Sequence, residues 1–569
     1  MAGPDARTLA TLLAELDDAV LTELLAVRRV PPTADWADYF DAADALLETP
    51  SLLRGLAALP RPHAEALRDA VTSGEPVAEG PDLDALVHAG LIDRDGRPYQ
   101  AVIAAWDAVP SVDAAPGPSA AGEDDAHAAE RAFSASTSLA DVLQSALTTP
   151  LGRIGSGAIG AVDRRRLIDQ GAVDSPEAAD ELVEIGATAG LLGAVDRQWL
   201  VTPSGERWLG TKTVTRWHEV AQRLRASLPA SLRTPEGGWM PASGWTAAHP
   251  FDPSWPARAE RLRALFRRWA LVGPDGVPPT WAQRLAAGAE ADDAALQALL
   301  PPEVDRVFLQ NDLTAIAPGP LDPQLDIRLR SMALRESRAQ ASTYRFTAES
   351  ITNALMTGET AESLREFLTS LSLTGLPQPL AYEIERSARR HGSVQVGPDW
   401  QGNTRVTASD PSLLQAIAVD QALRPLGLIE EGDALLTRSS PETTFWLLAD
   451  ARYPVAAVDA DGNRRSLGRG HLAPEPAASE DRDVYGPLRA RLRTAHATDA
   501  DSAWLGRELE QAVRARAVLT IVVRMPDGSE REVTLEATGL GGGRLRGLDR
   551  VADVERTLPV SSIASVRPA

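Results

Sequence analysis

Apolar residues recur at steps of three and four through much of this 569-residue chain and give way to short strand-like runs after Val518. That switch of period dictates a mainly helical body with a β-rich end. Between Thr8 and Leu25, the positions Leu9, Leu12, Leu13, Leu16, Val20, Leu21, Leu24 and Leu25 fall on one helix face. Helices continue through Leu59, break at Pro60 and Pro62, and resume over 64–71 and 83–89, with Gly90 placed to end the second. Leu91-Ile92, an Asp95-Gly96 turn and Tyr99 to Ile103 predict a small hairpin, so residues 1–109 form an acidic helical domain with a winged-helix outline.

Residues 110–135 are poor in large apolar groups and rich in Pro, Ala, Gly and acid, the composition of a flexible linker. A second winged-helix outline occupies 136–235. Its helix over 139–147 is followed by Ser175-Pro176-Glu177, which supplies an N-cap hydroxyl, a first-turn proline and a carboxylate facing the dipole. A strand over 198–202 and a turn at Pro203-Ser204-Gly205 complete it. Trp239, Trp245, Trp255, Trp269 and Trp281 mark 236–302 as a helical segment, where they are expected as packed core rather than a base-stacking platform. Residues 303–467 mix strands at 307–309 and 314–317 with helices and end in a hairpin turning at Asp461-Gly462. Residues 468–514 hold a loose connection and a helix, and 515–569 alternate strands with turns at Asp527-Gly528 and 541–543. Such spacing suggests a small barrel.

Composition removes many chemistries. The absence of cysteine excludes disulfides, thiolate nucleophiles and cysteine-ligated metals, and Lys212 is the one lysine. Around it, 205–213 (GERWLGTKT) carries one residue too many between glycine and lysine for a Walker A loop. Gly155, Gly157 and Gly160, with Asp174 downstream, match a dinucleotide spacing but follow no buried strand, so a loop is expected. The histidines stand singly, 459–463 suits a turn better than a calcium loop, and Asp17-Asp18 and Glu430-Glu431 suit solvated faces. No cofactor is implied, and the expectation is a protein that is not an enzyme. Without a run of about 18 apolar residues or a secretory leader, the expected location is cytoplasmic, or nucleoid-associated if DNA is bound, with no membrane partner.

The net charge is −22, and it is uneven: residues 1–135 carry 9 Arg against 24 Asp and Glu. Polyanions are bound mainly through Lys and Arg, which excludes a generally DNA-binding surface. A local one remains open, because residues 150–235 hold 11 basic and 10 acidic groups. The acidic end is where a protein partner is expected.

Two stretches carry a resemblance. VFLQNDLTAIAPGPL (307–321), continued by 344–396 with its repeated Thr-Ala-Glu helix starts and its His-Gly-x-Val ending, resembles the helicase-associated domain that precedes the motor in XPB-type helicases. Stand-alone actinobacterial proteins without a motor carry the same domain, and the arginine-for-lysine, alanine-rich composition fits them. GGRLRGLDRVADVERTLPVSSI (542–563) resembles the end of a WYL-type barrel, with Arg556 at that family's Arg before Thr, although the Trp-Tyr-Leu triplet is missing.

Pattern and resemblance together lead to the expectation of an α+β, mainly α, multidomain chain: tandem winged-helix-like units from the pattern, and from the resemblance an XPB N-terminal-like α/β domain and a small C-terminal β-barrel. The resemblance implies an accessory role beside an XPB-type helicase in DNA repair or transcription-linked processing, with duplex or forked DNA as ligand. A WYL-like transcription regulator and a pure protein-interaction scaffold are the alternatives. The expected DNA contacts are Arg164, Arg165 and Arg166, with Arg197, Arg207 and Lys212, although the triplet could equally solvate a helix. Expected partner or DNA contacts are Gln310, Asn311 and Asp312, which could also be only a turn, and Arg544, Arg546 and Arg556.

Overall fold

The computed structural model describes residues 4–110, 122–338, 341–399, 402–465, 467, 472–475, 483–525, 529–550, 552 and 554–568. The architecture is mixed α/β with four sheets among these residues, and the chain divides into two units: 1–117 with 244–259 and 479–569, and 118–243 with 260–478.

In the first unit the leucine stripe becomes two helices, Pro4–Glu15 and Asp18–Val27, with Leu9, Leu13, Leu21 and Leu25 at most 1% exposed. Pro62 starts the next-but-two helix, Arg61–Ser73, in the first turn, where the missing N–H costs nothing. The core is fixed by Arg28, which is buried yet donates to the carbonyls of Ser51 (2.6 Å), Ala89 (2.8 Å) and Gly90 (3.4 Å). Burial, and then the charge of Arg54, pull its pKa down to about 10, so it stays cationic at neutral pH. Gly55 is what admits it: a Cβ there would lie 2.3 Å from the guanidinium carbon.

The expected hairpin at the end of this domain is reduced to one bridge, Ile92 to Pro98. From Gln100 to Ala105 the chain is helical, because Asp5 accepts the N–H of Ala101 at the new helix start and Val102 and Ala105 bury themselves on one side. The Trp-rich segment is also not one body: Phe251 packs edge-on against Trp106 at 5.5 Å, and Trp255 donates to the Trp245 carbonyl at 2.6 Å. Residues 244–259 therefore belong with the N-terminal helices.

The long helix Gly486–Ala515 serves the same core at its start. Tyr485, Leu488 and Leu492 enter it, while Arg489 (2.9 Å) and Arg493 (3.2 Å) pair with Asp18, a residue expected merely to be solvated. At its other end, Leu509 and Ala512 cover a five-stranded antiparallel sheet. The strand order is Val554–Pro559, Arg544–Asp549, Glu530–Gly541, Val518–Arg524, Ile563–Pro568. Among the described residues the two outer strands do not pair, so the expected barrel is an open sheet; the helix, not a closing strand, buries its apolar face. Gly542 and Gly543 take the positive φ of the predicted 541–543 turn. The Asp527-Gly528 turn lies outside the described residues.

The second unit opens with the helix Asp125–Thr148, which begins inside the expected linker. Residues 111–121 lie outside the described residues, but Ala128, Ala129, Ala132 and Ala135 are buried helix positions whose small side chains imitate linker composition. There follow the strand Leu151–Gly152, the helices Ala161–Asp169 and Pro176–Thr188, and the strands Leu192–Val195 and Gln198–Val201, the last of these central in a three-stranded antiparallel sheet. Ser175 caps its helix as predicted, through the N–H of Ala178. The predicted turn at 203–205 is instead the first turn of the helix Pro203–Leu209, capped by Thr202 on the Gly205 N–H. Trp217 and Trp269 each donate to the other's carbonyl, at 2.8 and 2.9 Å, and Trp239, Trp269 and Trp281 are core.

Residues 303–467 hold two cores. The first packs the helices Pro323–Met332, Ala348–Met356, Ala361–Leu371 and Gln378–Arg390 on one face of a four-stranded sheet, with capping boxes at Thr347 and Thr360. The second builds on a six-stranded sheet that ends in the predicted hairpin, Val455–Val458 against Arg464–Arg465.

Ahead of these cores, His218 on the helix Thr213–Ser227 is clasped by Asp293 through Nδ1 (2.7 Å) and Glu290 through Nε2 (2.9 Å), while Gln222 lies 2.7 Å from Nε2. Burial opposes a charge on the ring, but its bonds to both carboxylates outweigh this and raise its pKa above the ordinary 6.5. A raised folded-state pKa adds stability that is complete below the unfolded value and is lost as pH rises through the folded one. The stability difference between wild type and His218→Gln should therefore shrink as pH is raised from below 6.5 through the alkaline side of neutrality; a difference that grows with pH in urea titrations would contradict the clasp. Gly55→Ala gains about 1 kcal/mol of helix propensity but forces Arg28 from its carbonyls. Urea unfolding should show a net loss of about 1–3 kcal/mol, whereas Gly155→Ala, which meets nothing within 4 Å, should be near neutral.

Candidate nucleic-acid interface

The arginine triplet lies on the helix Ala161–Asp169, and the fold neutralises it. Arg164 pairs with Asp180 at 3.0 Å; Arg166 pairs with Asp163 at 3.1 Å and donates to the Thr149 carbonyl; Arg165 is 83% exposed and stands 3.7 Å from Asp169. Three carboxylates thus meet three guanidinium groups, and only the exposed Arg165–Asp169 pair is of the kind that contributes little beyond solvation. Asp163 also accepts the Gly152 N–H, so the turn after the Gly155, Gly157 and Gly160 loop is closed by the chain itself.

The next helix, Pro176–Thr188, carries Glu177, Asp180, Glu181 and Glu184. Its acids face arginines of the helix Trp255–Arg268: Arg261 meets Glu184 at 2.5 Å, and Arg268 meets Glu181 at 2.7 Å. A helix with this charge and this covering cannot enter a DNA groove without losing both sets of pairs.

The exposed Arg197 sits in the turn between Leu192–Val195 and Gln198–Val201, where its carbonyl accepts the N–H of Arg153 at 2.7 Å. Arg153 lies over the Trp199 ring, 5.4 Å from its centroid. The sequence reading missed Arg153 because nothing in the run LGRIGSG announces that it will stand opposite the wing; the one available signal was the strand register. Arg207 is exposed and donates to Ser204 Oγ, which donates in turn to Glu475. Lys212 is exposed just before the helix Thr213–Ser227, whose first N–H is taken by Glu303.

Gln310, Asn311 and Asp312 form the exposed turn between Phe308–Leu309 and Thr314–Ala317. Asp312 accepts the Thr314 hydroxyl at 2.5 Å, and Leu313 takes a positive φ of 62°. The three residues are brought together, 113 positions beyond Arg197 of the wing. On the C-terminal sheet, Arg544 and Arg546 are exposed without an ion pair among the described residues, whereas Arg556 is spent on Asp549 (2.8 Å) and Arg550 on Glu536 (2.6 Å). Arg556 thus joins two neighbouring strands of the sheet through Asp549.

Within the second unit one buried contact joins the three-stranded domain to the region after 303. Asp141, 3% exposed on the Asp125–Thr148 helix, accepts from Arg330 at 2.7 Å and from Arg335. Asp326 pairs with Arg330 at 3.6 Å and accepts the Tyr344 hydroxyl at 2.6 Å. Burial, and then the Asp326 carboxylate, raise the Tyr344 pKa, keeping that hydroxyl a donor. Removing one member of such a buried set strands the others. Asp141→Ala should cost about 3–5 kcal/mol, and Asp141→Asn should also destabilise; an unfolding midpoint unchanged in both would show that the contact carries no energy.

Residues 307–431 match a family described as the helicase conserved C-terminal domain. The match takes in the first core and runs through the strand Ile429–Glu431 of the second. No curated protein matches the chain. The stretch 307–431 is thus a helicase-associated region, and the buried Asp141 contact attaches it to the three-stranded domain.

Proposed function

We propose that this chain is a non-catalytic accessory protein that acts with an XPB-type helicase on duplex or forked DNA, in repair or transcription-linked processing. The observation that carries the reading is the helicase-conserved match at 307–431, a region that begins with the exposed 310–312 turn. We assign that turn to the motor. The order helix, strand, two helices, two strands, with the last strand central, supports reading 125–201 as a winged helix. Its DNA contact is assigned to the wing, since the third helix is acidic and covered. The scaffold alternative loses some of its ground, because Asp18, one of the N-terminal acids it relied on, is engaged by the chain's own Arg489 and Arg493. The WYL-like alternative rests on 542–563, where Arg556 is occupied by Asp549. No helix among the described residues is long and apolar enough to cross a membrane.

The test is the DNA-dependent ATPase of an XPB-like motor on forked DNA with and without the full chain. The proposal expects the chain to co-purify with the motor and change its turnover, and expects Gln310→Ala/Asn311→Ala/Asp312→Ala to lose that change while remaining folded. No association and no change in turnover would end it.

A further inference from the structure

We propose that Arg153 and Arg197 form a phosphate-binding pair whose ligand is a nucleic-acid backbone. The choice of ligand rests on the DNA reading above; the anion chemistry stands on the wing itself. Leu151 pairs with Trp199 and Gly152 with Gln198, so the next step of this antiparallel register places Arg153 directly opposite Arg197. Their backbones are joined there by the 2.7 Å bond between the Arg153 N–H and the Arg197 carbonyl. Like charges directly opposite on one sheet face are destabilising, and the usual remedy is a carboxylate. Neither arginine has one among the described residues; Asp196, beside Arg197 with a φ of 51°, pairs with neither.

The rest of the wing supports the pair rather than neutralising it. Trp199 Nε1 donates to the Gly157 carbonyl at 3.1 Å, which fixes the ring that Arg153 lies over. Gly157 takes a φ of 90°, and the Arg153 Nη2 is in ordinary contact distance, 3.9 Å, of where a Cβ would be. Arg153 Nε is buried and has no partner. Two arginines whose backbones are bonded across the wing, neither with a carboxylate partner among the described residues, match the oxygens of a phosphate, which would relieve their repulsion. A nucleic acid fits better than a free phosphate, because the pair sits on an open turn beside exposed Ile154 and lacks the enclosure a single small anion requires.

The experiment is fluorescence anisotropy of a short labelled duplex with the full chain across a salt series, with inorganic phosphate as competitor and urea unfolding of every variant. Arg153→Gln/Arg197→Gln should reduce the log–log salt slope by about 1.8, at about 0.9 per lost contact. Arg197→Gln alone should weaken binding without lowering the unfolding midpoint, since it removes a repulsion. Arg164→Ala/Arg165→Ala/Arg166→Ala should leave the slope unchanged. If the double variant fails to fold, Arg153→Lys/Arg197→Lys, which keeps both charges, should keep the slope and lose affinity. An unchanged slope in the glutamine variants, with wild type binding duplex, overturns the pair and leaves the DNA reading standing. Wild type that binds phosphate but no duplex overturns the choice of ligand, and wild type that binds neither overturns both.

Discussion

A carboxylate 3% exposed cannot be left alone, and the second unit is organised around that constraint at Asp141. Its partners, Arg330 and Arg335, lie almost two hundred residues downstream, at the end of one helix and the start of the following strand of the helicase-associated region. Separating the two regions would strand three charges at once. The Asp125–Thr148 helix is therefore shared: one side supplies the core of the three-stranded domain, and Asp141 fixes the sheet that carries the 310–312 turn. On the same side of the junction, Arg216 is buried and donates to the carbonyls of Trp208 and Leu209.

Acidity plays a different part from the one its total suggests. A balance of −22 implies a surface that repels polyanions, yet the acids that matter structurally are consumed inside the chain. Asp18 receives two arginines of the long C-terminal helix; Asp180, Glu181 and Glu184 receive Arg164, Arg268 and Arg261. The pairing that holds the Pro176–Thr188 helix also occupies Arg164, while Asp163 occupies Arg166. In the wing of the three-stranded domain, Arg153 and Arg197 have no ion pair among the described residues.

Local chemistry was legible in the sequence wherever a single residue decides it. The leucine stripe, the Ser175 cap, the 461–462 hairpin and the buried tryptophans follow from periodicity, an N-cap hydroxyl, a turn pair and apolar bulk. The misreadings share another cause. Ala128, Ala129 and Ala132 have linker composition and helix packing; residues 100–105 look strand-like until Asp5, almost a hundred positions away, caps them; and the C-terminal strands signal a barrel until the Gly486–Ala515 helix covers their face. Arg153 likewise meets Arg197 only through strand register, which no local run of residues announces. Among the expected contacts, Arg197 and the 310–312 turn are exposed, whereas the pairing of Arg164 depends on Asp180, which only the fold brings near.

The claim that the three-stranded domain and the helicase-associated region form one energetic body is tested most directly by native-state hydrogen exchange in increasing urea. If Asp141 joins them as described, amides of the Asp125–Thr148 helix and of the Pro323–Met332 helix converge on one opening free energy and lose protection together. Opening of Pro323–Met332 at a distinctly lower free energy, with Asp125–Thr148 still fully protected, would contradict the account.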